Sequence, residues 1–197
     1  MKVLQRILPV GAALSVALGL CLSTKVAADM PSFDVVRAQL ARQKVDDVID
    51  SYDGFGLEAS KQLAQNFFVG GQYQEFELAD TVDSQQFGVY VGLYGDVARM
   101  FNTRVATLFG YRKATLDSAL FNESDDTGFI GVSVRNRAFD RVELRADLHY
   151  LDWNKSESGF MGALGFSYFI GRGVAFEVGY KKQGNTQTFS SGLGYFF

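Results

Sequence analysis

The stretch Gln187-Thr-Phe-Ser-Ser-Gly-Leu-Gly-Tyr-Phe-Phe197 decides the fold of this chain. Its apolar residues recur at every second position, and small or polar residues stand between them: Phe189, Leu193, Tyr195 and Phe197 against Ser190, Gly192 and Gly194. A period of two gives a β-strand one apolar face and one polar face. A strand that closes a barrel in lipid can end on an aromatic ring at the membrane interface. The stretch therefore predicts a transmembrane strand.

The same alternation recurs in nine further segments. It is clearest in 142–150, where apolar residues alternate with charged residues and one histidine. The other segments are 33–44, 52–61, 67–74, 87–94, 104–112, 130–135, 163–170 and 174–181. Alternating segments that fill the chain leave no helices to cover their apolar faces. The sequence therefore predicts an all-β protein consisting of a single closed antiparallel transmembrane β-barrel.

The number of strands depends on the segment 33–44. Single-chain bacterial barrels have even strand numbers. If 33–44 is a strand, the barrel has ten strands and both termini lie in the periplasm, and this is the prediction. If 33–44 is a weakly amphipathic helix instead, 52–61 must also leave the wall, and eight strands remain as the alternative.

Strand ends predict the loops and two aromatic girdles. The expected outer loops are 45–53, 75–85, 113–126, 153–159 and 182–187, with shorter turns on the periplasmic side. The predicted outer girdle consists of Tyr73, Tyr111, Tyr150, Trp153 and Tyr180. The predicted inner girdle consists of Phe67, Phe101, Phe139, Tyr168 and Phe197.

The N-terminus has the pattern of an export signal. Lys2 and Arg6 precede a 16-residue apolar run, 7–22, which is shorter than the ~20 residues that a membrane helix needs. Small residues then lead to Ala28, after which we expect cleavage. The predicted signal peptide is 1–28 and the barrel domain is 29–197. Cys21 could indicate a lipoprotein, but Leu20 stands where a small residue is expected. Cleavage would remove the only cysteine and with it any disulfide.

The net charge of the chain restricts the classes of partner that we expect it to bind. The chain has 19 Lys and Arg against 22 Asp and Glu, and the signal peptide removes three of the cations. An acidic mature chain argues against a nucleic-acid partner. A barrel in the outer membrane would contact lipid and lipopolysaccharide, and we expect it to be a monomer without cofactors or a metal site.

Three short motifs resemble those of the small Gram-negative outer-membrane barrel superfamily, which includes the transmembrane domain of outer-membrane protein A. They are Gly54-Phe-Gly-Leu-Glu-Ala-Ser60, Asn66-Phe67 and Gly70-Gly-Gln-Tyr73. The C-terminal strand likewise resembles the segment that the barrel assembly machinery binds, which implies that Leu193, Tyr195 and Phe197 form an assembly signal. The resemblance implies location in the outer membrane. Because the chain ends with the barrel, we expect no cell-wall-binding domain.

Inward-facing charges form the main candidate site. Alternation places six cations, four anions and the only histidine on the lumen side: Arg37, Arg104, Arg112, Arg135, Arg145, Lys181, Glu58, Glu143, Asp147, Glu177 and His149. Charges inside a barrel must be paired or hydrated. We therefore expect an ion-pair network that fills the lumen, so that the protein is not an enzyme and has a structural or surface-interaction role. A narrow pore with slight anion preference is the alternative.

Two further hypotheses concern catalysis and metal binding. His149, Asp147 and Ser167 share the inward face of adjacent strands, but a catalytic set requires hydrogen-bond contact between them. The sequence matches no barrel-enzyme motif, so a lipid-modifying enzyme is the third alternative. The outer loops are acidic, as in 46–53 and 117–126. Most simply this is a solvated surface, although hard cations such as Ca²⁺ take carboxylate oxygens.

Overall fold

A computed structural model describes residues 30–46, 51–79, 82–97, 102–118 and 122–197. The predicted signal peptide and its cleavage after Ala28 lie outside the described residues, as does Phe101. Within the described ranges no helix is long and apolar enough to cross a membrane.

The described chain forms ten antiparallel strands that close into one barrel. Each strand pairs with its neighbours in the sequence, and the first pairs with the last, which closes the wall. The strands are β1 Val35–Val45, β2 Ser51–Ala64, β3 Phe67–Ala79, β4 Val82–Asp96, β5 Thr103–Ser118, β6 Asn122–Phe139, β7 Val142–Trp153, β8 Gly159–Phe169, β9 Val174–Gln183 and β10 Thr186–Phe196.

The predicted ten-stranded all-β barrel is confirmed, and the eight-stranded alternative is wrong. The segment 33–44 was the undecided part of the sequence. It forms most of β1, which is hydrogen-bonded to β10 on one side and to β2 on the other. Without β1 the wall would be open between β10 and β2.

Side chains alternate between the lumen and the outer surface as predicted. On β7, Leu144 is 45% exposed whereas its neighbour Glu143 is 1% exposed. Large apolar side chains cover the outside of the wall in the same way, among them Leu40, Phe87, Val91, Phe109, Ile130, Leu148, Phe166, Val178 and Leu193. Lipid accommodates such a continuous apolar band, and water does not.

Three predicted outer loops are wrong because the strands continue through them. β3 runs to Ala79 and β4 begins at Val82 within 75–85. β5 and β6 likewise occupy most of 113–126, and β10 begins at Thr186 within 182–187. Hydrophobic alternation ends where both faces meet water, but the backbone ladder does not depend on it. The strands therefore extend beyond the segments in which apolar and polar residues alternate.

Tight turns connect these extended strands. Gly184 begins the two-residue connection between β9 and β10 with φ of 53°, and Asn66 ends the connection between β2 and β3 with φ of 64°. Glycine and asparagine are the residues that tolerate this left-handed backbone best. We call the end of the barrel that holds residues 30 and 197 the terminal end, and the opposite end the loop end.

Two girdle assignments need correction. Trp153 lies at the loop end of β7, within the predicted outer girdle, but it has the inward parity and packs against an interior apolar cluster. Phe197 was expected to present its ring at the interface, yet it is only 7% exposed. Its ring lies beside Tyr195 and beneath the Lys61 ammonium, whose nitrogen is 4.6 Å from the ring centroid.

Candidate functional site in the barrel lumen

Five charged side chains meet inside the lumen, and we call them the crossing cluster: Arg37, Glu58, Arg145, Asp147 and Glu177. The Glu58 carboxylate lies 3.1 Å from Arg37 Nη1 and accepts from Arg145 Nη1 at 3.2 Å. Arg37 also donates from Nε to Glu177 at 3.0 Å, and Arg145 Nε lies 3.3 Å from Asp147. Every charge in the cluster therefore has an opposite charge within 4 Å.

The crossing cluster spans the barrel. Glu58 is on β2 and Arg145 is on β7, which stand five strands apart in either direction round the wall. Their contact therefore joins diametrically opposite sides of the lumen. Tyr90 on β4 donates to the same carboxylate at 3.2 Å, and Ser167 on β8 donates to Glu177 at 2.8 Å. Hydroxyl donors thus supply part of the hydrogen bonding that a buried carboxylate requires.

Residues 30–34 contact lumen side chains at the terminal end of the barrel, and we call this segment the terminal plug. Phe33 is fully buried; its ring stacks on Phe68 at 4.1 Å between centroids and lies 4.9 Å from Tyr94. Its carbonyl accepts from the Ser60 hydroxyl at 2.6 Å. The plug is therefore held both by ring packing and by hydrogen bonds to its backbone.

Arginines of the lumen bind the plug rather than the crossing cluster. Arg104 donates to the Pro31 carbonyl at 2.5 Å, and Arg135 donates to the Ser32 carbonyl at 2.6 Å. The Arg135 guanidinium also lies over the Phe33 ring, 4.3 Å from its centroid. Glu143 is in turn 3.4 Å from Arg137, a residue not assigned to the lumen from the sequence. The lumen charges therefore form several separate groups instead of the single network that the sequence predicts.

A third group lies on the loop side of the crossing, and we call it the loop-side cluster: Arg112, His149 and Lys181, with Gln72 and Gln74. Arg112 donates to Met161 Sδ at 2.9 Å and to His149 Nδ1 at 3.2 Å. With the Gln72 amide oriented to present its oxygen, Arg112 donates to that oxygen as well. Lys181 donates to the Gln74 amide oxygen. Both cations are therefore bound mainly by neutral groups.

A cavity of about 100 Å³ lies among these lumen side chains. Members of the crossing and loop-side clusters line it, together with Phe33 and Tyr90. It is large enough for several water molecules. Side chains from several strands therefore meet around this space.

The three side chains considered for catalysis do not form a catalytic set. The His149 ring stacks on Phe129 with centroids 5.0 Å apart, and its Nδ1 faces Arg112. Ser167 donates to Glu177 instead, and Asp147 pairs with Arg145. A serine nucleophile needs hydrogen-bond contact with its base, and this arrangement provides none.

The residues assigned to an assembly signal lie on β10 and beyond it. Leu193 and Tyr195 face outward, whereas Phe197 turns back against the wall and donates its backbone N–H to the Asp34 carbonyl at 3.2 Å. The inner neighbour Phe196 is buried and packs against Phe169. The apolar stripe of β10 is thus presented on its outer surface.

The acidic residues of the β5–β6 hairpin bind the chain's own donors. Asp125 accepts from the Ser156 hydroxyl at 2.6 Å and from the backbone N–H groups of Lys155 and Ser156. Asp126 accepts from the Asn154 amide at 2.8 Å. Across the described ranges no three carboxylate, histidine or cysteine side chains are grouped as metal ligands. The Asp125 carboxylate instead anchors the turn between β7 and β8.

Comparison with known proteins identifies the fold. No family model matches the chain, and no curated protein sequence matches it significantly. The NanC porin is 9% identical, with a TM-score of 0.53 over 82% of this chain and 100% of its own. Two further barrels are more distant in structure. The KdgM porin is 10% identical, with a TM-score of 0.46 over 82% of this chain and 99% of its own. The Ail attachment invasion locus protein of Yersinia pestis is 16% identical, with a TM-score of 0.38 over 83% of this chain and 95% of its own.

The chain thus has the fold of outer-membrane β-barrel proteins. More particularly, it is a closed ten-stranded antiparallel barrel, as predicted, and its fold resembles that of the NanC porin. At this identity the comparison concerns architecture alone.

Some lumen residues were not selected from the sequence. Tyr90, Gln72 and Gln74 have the inward parity, but they are uncharged and so were not among the predicted lumen charges. Phe33 was counted as the start of a strand, and nothing in the alternation indicates that it would turn into the lumen. Ring packing at the terminal end is a tertiary property without a local signal.

Proposed function

We propose that this chain is a non-enzymatic outer-membrane protein with a structural or surface-interaction role in the cell envelope, and that its lumen is closed. The observation that carries the proposal is the Glu58–Arg145 contact across the barrel. An ion that moves along the lumen would have to separate this pair or pass through the side chains packed beside it. Separating charges in a low-dielectric interior is costly.

Further features support the proposed setting. The apolar band round the wall matches a lipid environment, so we place the protein in the outer membrane, in contact with lipid and lipopolysaccharide. We further propose that the protein is a monomer and that the barrel assembly machinery engages the outer stripe of β10 through Leu193, Tyr195 and Phe197. The arrangement of His149, Asp147 and Ser167 gives no support to catalysis.

Single-channel recording tests the closed lumen against the alternative of a small porin. Residues 29–197 are refolded, folding is verified by a heat-dependent shift on a denaturing gel, and the protein is inserted into a planar bilayer. We expect no conductance steps because the crossing cluster and the terminal plug obstruct the lumen in series. Steady steps from correctly folded protein would favour the porin and contradict the proposal.

A further inference from the structure

We propose that the loop-side cluster binds one small oxyanion, of the size of acetate, sulfate or phosphate, between Lys181 and His149 in the lumen cavity. The inference does not rest on the lumen being closed, because an anion could occupy this site in a silent or a conducting barrel.

The first support is an excess of positive charge. The Glu58 and Asp147 carboxylates are already bound by arginines of the crossing cluster. Among the described residues, neither Arg112 nor Lys181 has a carboxylate within ion-pair distance, and the two cations line the same cavity. A buried cation without a counter-charge is unfavourable. An anion bound beside the Lys181 ammonium would supply the missing charge.

The second support is an unused donor. Arg112 offers only donors, so the contact between its Nη2 and His149 Nδ1 requires Nδ1 to be the acceptor. The neutral imidazole must then carry its proton on Nε2. This Nε2 is buried and has no hydrogen-bond partner among the described residues, and the side chain is 7% exposed. A buried N–H group left unpaired calls for an acceptor.

The third support is the geometry of the cavity. His149, Arg112 and Lys181 all line the same space of about 100 Å³. The Lys181 ammonium has three N–H groups, and within the described part of the chain the Gln74 amide oxygen is the one acceptor found for them. Thr188 and Ser190 add hydroxyl groups to the lining. Donors therefore predominate on this side of the cavity, which favours an anionic oxygen ligand over a cation.

The only histidine of the chain provides the assay. The mature protein is refolded in a zwitterionic detergent and titrated with sodium phosphate, sulfate or acetate against chloride at constant ionic strength. The ¹⁵N imidazole resonances then come from His149 alone. We expect a saturable change at Nε2 with at least one oxyanion. No change, or a change that chloride reproduces, would overturn the proposal.

Two lysines of β9 give a matched pair of variants. Lys181→Gln removes the lumen ammonium, and we expect at least tenfold weaker binding because a charge-assisted hydrogen bond is lost. Lys182→Gln alters the exposed neighbour, whose nitrogen lies 4.0 Å from Asp46, and should leave the affinity unchanged. Equal affinities in the wild type and Lys181→Gln would place the anion elsewhere and contradict the inference.

A ligand comparison covers the case in which Lys181→Gln does not fold. Acetate and acetamide have nearly the same shape, but only acetate carries a charge. In the unmodified protein we expect acetate to shift the Nε2 resonance and acetamide to leave it unchanged. An equal response to both would show that the cavity takes small polar molecules without regard to charge, which would also overturn the proposal.

Discussion

Glu58 is the residue on which the lumen charges converge. Its carboxylate has two guanidinium groups and one phenol as neighbours, from Arg37, Arg145 and Tyr90. These groups come from three different strands, so the Glu58 side chain links β2 to β1, β4 and β7. If Glu58 is neutralised, Arg37 retains Glu177 and Arg145 retains Asp147, but the two guanidinium groups lose the anion between them.

We therefore expect Glu58→Gln to destabilise the barrel by about 3 kcal/mol, as when one partner of a buried ion pair is removed. The estimate is at the low end of the usual range because Glu58 and Arg145 each keep 20% of their side-chain surface exposed. The measurement is the free energy of unfolding in denaturant of the refolded protein in lipid vesicles.

A surface ion pair provides the control for this variant. Arg42 and Asp53 form a bidentate pair at the loop end, with 65% and 72% of their side-chain surfaces exposed. Solvent-exposed pairs contribute little to stability, so Asp53→Asn should leave the free energy of unfolding nearly unchanged. If Glu58→Gln and Asp53→Asn lower the free energy of unfolding equally, Glu58 contributes no more to stability than a residue of a surface ion pair.

At the scale of the element, Asp125 joins two neighbouring hairpins. The Ser156 hydroxyl and the backbone N–H groups of Lys155, Ser156 and Asp126 donate to this carboxylate and lower the pKa of Asp125 below its ordinary value. The lowered pKa means that the anchor is complete above the ordinary pKa of an aspartate. It is lost as the pH falls through the lower pKa of the folded state.

We accordingly expect the β7–β8 turn to become mobile only under acidic conditions, below the ordinary aspartate pKa of about 3.9. The backbone N–H resonances of Lys155 and Ser156 should shift together in an NMR pH titration of the folded protein. In Asp125→Asn these shifts should be absent, and Glu123→Gln on the same hairpin should retain them. Titration of both N–H groups in Asp125→Asn would show that another group controls the turn.

The elements also show what the sequence could predict. Alternation identified the ten strands because each face of a strand meets a different environment, lipid outside and polar groups inside. It failed in 113–126, where polar and charged residues stand on both faces of the paired strands. In this range β5 and β6 are held together by backbone pairing, which produces no hydrophobic pattern in the sequence. Trp153 stands at the end of a strand, as a girdle residue does, but its inward parity directs it against the interior cluster.

At the scale of the whole molecule, the lumen residues could be predicted by parity but their pairing could not. Glu58 and Arg145 are 87 residues apart, and their contact follows from the closure of the wall. The terminal plug had no periodic signal, because Phe33 is held by packing against Phe68 and Tyr94. Contacts across a closed barrel depend on its circumference and the stagger of its strands, which periodicity does not report.

The closed lumen that we propose has two obstructions in series, and this arrangement has a consequence for conduction. One is the terminal plug, and the other is the crossing cluster, which joins opposite sides of the wall. In a series path the remaining obstruction still blocks the flow when the other is removed. We therefore expect Phe33→Ala and Arg145→Ala to be silent in planar bilayers as single variants, and the double variant to give conductance steps. Arg145→Ala leaves Glu58 paired with Arg37, which favours folding.

The control replaces an aromatic ring on the other side of the wall. Phe87 is 51% exposed on the outer surface, so Phe87→Ala combined with Arg145→Ala removes a ring and the same arginine without touching the plug. This double variant should remain silent, and a heat-dependent gel shift should verify folding in every case. Conductance from Phe33→Ala alone would show that the crossing cluster is no barrier. Silence of the folded Phe33→Ala and Arg145→Ala double variant would contradict this two-obstruction arrangement, because the remaining lumen side chains would then close the path by themselves.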